Sequence, residues 1–201
     1  MAVRSIVLYG HPALRKKSQA IKPVQPIDRE TKKLVADLIA TLDNAEGLGL
    51  AANQLGVAKR VFIVNLSHID PAETFRVFIN PEIFSRDGEC ELEEGCLSFP
   101  DMYEYITRPE RIKLRARDAG GNEFTLEADG MLARVILHEN DHLEGKLFID
   151  HLSSITRQLM RGKLKKLRAE GVASAASVAS AASALKSSGA PQTPHNARLE
   201  R

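Results

Sequence analysis

Two histidines and a glutamate in the stretch Leu137-His138-Glu139-Asn140-Asp141-His142 carry the strongest chemical signal in the chain. His138 and His142 are four positions apart. On a helix that spacing puts both imidazoles on one face, about 6 Å apart along the axis, where they can close on a single metal ion. Glu139 then stands beside the metal, free to handle a proton. Met131, Leu132, Val135, Ile136 and Leu143 fall at helical spacing around the motif, and Gly145 supplies a stop, so the pattern predicts a helix. A catalytic metal takes three protein ligands and leaves one position open. The two cysteines, Cys90 and Cys96, are the candidates for the third. A thiolate suits iron or zinc. Taken alone, either cysteine could equally be a core filler.

The elements that must position these groups are legible as short periodic runs. Asp28 can cap a helix running to about Ala45, with Leu34, Leu38 and Leu42 every four residues and Gly47 ending it. Gly47 to Gly56 is rich in small residues, which let a backbone or ligand approach closely. It lacks the third glycine of a dinucleotide fingerprint and the lysine of a phosphate loop, which excludes nucleotide binding there. Arg60–Leu66 reads as a buried strand. Arg76–Ile83 reads as a second, interrupted at Asn80-Pro81, and Gly88–Glu94 as an edge strand. Arg111–Arg117 and Glu123–Ala128 form a hairpin around Asp118-Ala-Gly-Gly-Asn122. Ser153–Glu170 predicts a final basic helix with Ile155, Leu159, Leu164 and Leu167 on its apolar side. The fold class expected is α+β: short, mostly antiparallel strands around a central metal-binding His-Glu-x-x-His helix, with a C-terminal helix.

With 201 residues, 43% of them apolar and 27% charged, the chain suits one globular domain plus a tail. The expected domain is 1–170. Residues 171–201, Ala- and Ser-rich, cannot bury enough surface to offset ordering and are expected to be mobile. No apolar run spans a membrane, and Met1–Gly10 lacks the apolar stretch of a signal peptide, so a cytoplasmic location is expected. Two cysteines are too few for a disulfide framework. The formal charge is +2, but residues from His151 onward carry +7, which leaves −5 for the body. That asymmetry points the basic end toward an anionic partner such as RNA, or toward solvent.

Three stretches, in this order and spacing, closely resemble the three signature motifs of the peptide deformylases. They are Gly47-Leu-Gly-Leu-Ala-Ala-Asn-Gln54, Glu94-Gly-Cys-Leu-Ser98 and His138-Glu-Asn-Asp-His142. The resemblance covers roughly residues 1–170, and all three motifs match in full. It implies removal of the formyl group from the N-terminal formylmethionine of newly made polypeptides, with release of formate. It implies one divalent metal held by Cys96, His138 and His142, with Fe2+ the native choice and Zn2+, Ni2+ or Co2+ able to substitute. Glu139 would be the catalytic acid and base, and the Gln54 amide and the Leu97 backbone N–H would receive charge growing on the formyl oxygen.

Further positions follow from the same resemblance. Leu48, Leu92, Met131 and Val135 match the pocket for the methionine side chain. Gly49 and Gly95 would offer backbone hydrogen bonds to an extended peptide. Arg134 stands where some members have an apolar residue, so its stem would line the rim and its head stay wet. Tyr103 stands where some members have an arginine. Glu94 and Asp141 would orient ligands, or pair with a base such as Arg108. The partners implied are nascent N-formylated polypeptides, with a ribosome contact through the basic helix 153–170 and neither membrane nor DNA. A zinc protease also uses His-Glu-x-x-His. Its long pattern wants a histidine where this chain has Phe148.

Overall fold

A computed structural model describes residues 1–23, 26–68 and 74–187, with backbone alone from 178 onward. Two sheets carry the fold, and every strand pairing in them is antiparallel. The larger contains β1 (Gly49–Ala51), β2 (Val61–Asn65), β3 (Phe75–Asp87), β6 (Arg111–Arg117) and β7 (Glu123–Asp129), in spatial order β1-β2-β3-β6-β7. The smaller is the pair β4 (Cys90–Cys96) and β5 (Phe99–Arg108).

Side-chain alternation along β2 explains how the two main helices are divided between the faces of the large sheet. Val61 and Ile63 point toward α1 (Arg29–Ala45) and pack with Leu34, Leu38 and Leu42. Phe62 and Val64 point the other way and pack with Ala133, Ile136 and Leu137 of α2 (Gly130–Leu143). All five residues of β2 are buried, which is why its sequence is a continuous apolar run rather than an alternating one. The motif helix α2 is therefore held from below by the sheet, with nine of its residues buried.

Local chemistry sets the element ends. The Asp28 side chain accepts from the Thr31 N–H at 2.8 Å and starts α1. The left-handed residue that ends α1 is Glu46, with φ 51°, one position before the expected Gly47. Asn80-Pro81 does not interrupt β3. Asn80 takes φ 50° at a register shift where the strand passes from β2 to β6, and its amide clamps both backbone groups of Ile21 at 2.7–2.8 Å.

Further expectations need correction. β5 falls on a stretch to which no strand had been assigned. Its Met102 and Ile106 face the core while Tyr103 and Tyr105 face out. The final helix comes in two pieces, α3 (Ser154–Leu159) and α4 (Arg161–Ser187), hinged at Met160. Met160, Leu164 and Leu167 are buried, but Ile155 and Leu159 are 72% and 82% exposed, because the break turns α3 off the body.

α4 runs through Gly171 rather than stopping there, so residues 171–187 are helical. The rest of the 171–201 segment expected to be mobile, residues 188–201, lies outside the described residues. α4 lies directly on the amino-terminal segment. A Cβ on Gly171 would sit 2.3 Å from the Tyr9 carbonyl oxygen, and one on Gly10 would sit 2.3 Å from that of Arg168. The same segment donates from Val7 N–H to Gln54 O and from Tyr9 N–H to Ser98 O.

Candidate metal centre

His138 and His142 project from one face of α2, with ring centroids 5.1 Å apart. β4 ends at Cys96 above them. The Cys96 Sγ is 3.3 Å from His142 Nε2, and one donor atom from each of the three residues lies within 4.8 Å of the others. Tetrahedral ligation with ordinary metal–sulfur and metal–nitrogen bonds puts donors about 3.6 Å apart, so the trio is near the size a cation needs. Both rings are buried. Burial would lower His138, but Cys96 and Glu94 together outweigh it and draw the ring above its ordinary value, whereas burial and His138 push His142 below.

The His138 ring is oriented from behind. Its Nδ1 lies 3.0 Å from Glu94 Oε2, which leaves Nε2 facing the cluster. Glu94 also accepts from Arg108 Nε at 2.5 Å and Nη2 at 3.0 Å, and from Arg134 Nη1 at 2.8 Å. Arg108 Nη1 continues to Asp141 at 2.6 Å, and Asp141 to His151 at 2.7 Å. Burial alone would raise the Glu94 carboxyl, but His138 and Arg108 outweigh it and hold the group well below the usual range. Both readings of Glu94 and Asp141 therefore coexist: each pairs with Arg108, and Glu94 also fixes a ring. Arg134 departs from its expectation. Its head is buried, tied to Glu94 and to the carbonyls of Ile106 and Cys90, because three acceptors inside the β4–β5 hairpin replace water.

Glu139 is buried beside the cluster, and its Oε2 has no hydrogen-bond partner among the described residues. Burial, reinforced by Glu94, pushes it up to about 7 against the pull of His138 and Arg108. A proton near neutrality can be both taken and returned. Gly49 must be glycine for this placement, since a Cβ there would lie 2.6 Å from Glu139 Oε1. Gln54, 1% exposed, is tied by its oxygen to the Ala51 N–H at 2.8 Å. Its NH2 group consequently faces the centre, 3.3 Å from Ser98 Oγ and 3.7 Å from Cys96 Sγ.

A cleft of about 470 Å³ opens onto these groups. Leu48, Gly49, Gln54, Gly95, Cys96, Leu97, Met131, Val135, His138 and Glu139 all line it. Leu92 is half-buried and is not among the lining residues, and neither is Cys90. Three residues of the site had drawn no attention in the sequence. Ser98 accepts from Gln54, Asn53 donates to the His142 carbonyl, and Phe99 lines the cleft. Ser98 and Asn53 lie inside the motif stretches, which was the available signal.

The sequence model of the family described as "Polypeptide deformylase" matches residues 3–158. The chain belongs to the polypeptide deformylase family. It is 43% identical over 171 residues to the peptide deformylase of Alkalilimnicola ehrlichii, covering 85% of this chain and 94% of that one. It is 45% identical over 166 residues to that of Neisseria gonorrhoeae, covering 83% and 96%. Among solved structures, the peptide deformylase of Legionella pneumophila superposes with a TM-score of 0.74 at 39% identity, covering 82% of this chain and 95% of that one. That of Ehrlichia chaffeensis in complex with actinonin does so at 0.73 and 39%, covering 83% and 98%. Family membership makes this chain a hydrolase of the deformylase class, metal-dependent like the rest.

Proposed function

We propose that the chain removes the formyl group from the N-terminal formylmethionine of new polypeptides, using Cys96, His138 and His142 to hold one divalent cation. The observation that carries this reading is the convergence of three donors from β4 and α2 beside an unpartnered, buried Glu139. When bound, the cation acidifies a water and polarises the formyl carbonyl. The thiolate–imidazole set suits Fe2+, and Zn2+, Ni2+ or Co2+ fit the same donors. Fe2+ is taken as the native metal on the family resemblance.

The chain's own groups then divide the work. The methionine side chain enters between Leu48, Met131 and Val135, which places the formyl carbon at the centre. Glu139 takes the proton from the attacking water. The Gln54 NH2 and the Leu97 N–H stabilise charge developing on the formyl oxygen. Donors of this kind typically contribute about 10²–10³ in turnover. Glu139 returns the proton to the leaving amine, and formate departs. Gly49 and Gly95 hold the peptide backbone in an extended form.

Protein purified without oxygen should carry about one iron per chain and release formate from formyl-Met peptides but not from unformylated ones. Cys96→Ser should lower metal content, and Cys90→Ser should not. Equal loss of metal from both variants would move the third ligand elsewhere.

New polypeptides are met in the cytoplasm, at the ribosome, and the basic helices give the protein a reason to be there. No helix among the described residues is long and apolar enough to cross a membrane. Arg157, Arg161, Lys165 and Arg168 line a groove against Tyr9 and Leu152. We assign that face to ribosomal RNA, with residues 1–170 as the catalytic unit. Neutralising Arg157, Arg161, Lys165 and Lys166 should weaken ribosome cosedimentation, most clearly at low salt. Unchanged cosedimentation at low salt would remove the contact.

A further inference from the structure

We propose that Asn53 is a positioning residue for the metal centre: with Ser18 and an enclosed water, it holds the His142 ring with its ligating nitrogen toward Cys96. The inference rests on the assignment of Cys96, His138 and His142 as ligands and adds what steadies the second ring. Glu94 holds His138 from behind. His142 has no such anchor from a side chain among the described residues. Its Nε2 faces Cys96 Sγ at 3.3 Å, so a cation bound there leaves the ring proton on Nδ1. Nδ1 is buried and has no hydrogen-bond partner among the described residues. Buried N–H groups are nearly always paired, so an acceptor belongs behind this ring.

Two other buried atoms lack a partner in the same way, Asn53 Oδ1 and Ser18 Oγ. Both residues are tied to the carboxyl end of α2. Asn53 Nδ2 donates to the His142 carbonyl, and the Ser18 backbone N–H donates to the Leu143 carbonyl at 2.8 Å. The first bond fixes the amide, because a flipped Asn53 would set oxygen against oxygen. Its free atom is therefore an acceptor. Nδ1 brings a donor, Oδ1 an acceptor, and the Ser18 hydroxyl can be either. That is the complement of a single water, which buried polar sites hold with about three hydrogen bonds. Asn53, Ser18 and His142 are 0%, 4% and 1% exposed, so bulk solvent does not serve them. One short turn, Ala52–Leu55, sends Asn53 to His142 and Gln54 toward Cys96, so consecutive residues reach two of the three ligands. Neutral groups behind His142 orient the ring without adding a second buried carboxylate to the one behind His138.

The test uses the full chain loaded with zinc, isotope-labelled histidine ring nitrogens and magnetic resonance. Two slowly exchanging Nδ1–H protons are expected, one on each ring, with the His142 proton in contact with a bound water. Asn53→Leu, close in shape but without the acceptor, should remove the protection at His142 and leave it at His138. Its zinc affinity, measured by competition with a chelator, should fall by about 10–100-fold. Ser18→Ala should move the same signal and weaken zinc less. Denaturant unfolding of the metal-free proteins shows whether each variant is folded. If Asn53→Leu is not, Ser18→Ala and the signals of the unaltered protein decide. An unprotected His142 Nδ1–H, a proton carried on Nε2, or unchanged zinc affinity in Asn53→Leu would overturn the inference and leave the ligand set standing. Protection lost equally at both rings would also overturn it, because Asn53 would then support the fold and not one ring. A parent protein that binds no zinc, or binds it equally well after Cys96→Ser, would overturn the ligand set, and this inference with it.

Discussion

Glu139→Ala should leave the metal in place and cut turnover by about 10²–10⁴, the usual contribution of a positioned acid and base. The loss should fall on kcat, because Glu139 acts on the reacting atoms and takes no part in gripping the methionine. Its carboxylate touches none of the hydrogen bonds that orient His138, which run through Glu94 instead. Metal analysis beside a formate-release assay checks both halves. If the metal left together with the activity, Glu139 would be a ligand support and not a proton carrier. Turnover within a few-fold of the parent would leave the proton to another group.

Glu94→Ala should cost about 3–5 kcal/mol of folding stability, the range for breaking a buried ion pair by removing one partner. Glu94, Arg108 and Arg134 are each at most 5% exposed. Without the carboxylate, Arg108 keeps Asp141, but Arg134 keeps only backbone carbonyls for a full buried charge. Metal affinity should fall as well, by about 10–100-fold, since the His138 ring loses its anchor. Denaturant unfolding of the metal-free protein isolates the first effect, and competition with a chelator measures the second. A stability loss under about 1 kcal/mol would show that the arginines find other partners.

The same group gives acid sensitivity a direction. Glu94 is held below its ordinary value of 4.5 in the folded protein. Its contribution is complete above that value, declines as pH falls below it, and is gone once pH passes the folded-state value.

The centre was legible because its chemistry needs particular residue types at fixed spacings. Two imidazoles at i and i+4 with an adjacent glutamate say nearly everything about α2 before any packing is known. The Cys96 partnership was open on the residues alone, since nothing local tells a ligand from a core thiol, and the motif resemblance supplied it. β5 was missed because Pro100, Asp101 and Glu104 break its alternation, while what holds it is pairing with β4. Arg134 was misjudged for a related reason. A charged residue on a pocket wall normally keeps its head in water, and the three acceptors that bury this one come from residues 28 to 44 positions away. Ile155 and Leu159 fit an apolar stripe that a break at Met160 then rotates outward.

The crossing of Gly10 and Gly171 latches the amino-terminal segment against α4. The strap under α4 hangs from the carbonyls of Gln54 and Ser98, the residue carrying the amide aimed at the centre and its hydroxyl neighbour. A displacement of the helix reaches that strap, and through its two hydrogen bonds the backbone of Gln54 and Ser98. A methyl group at Gly171 is enough to wedge the latch open.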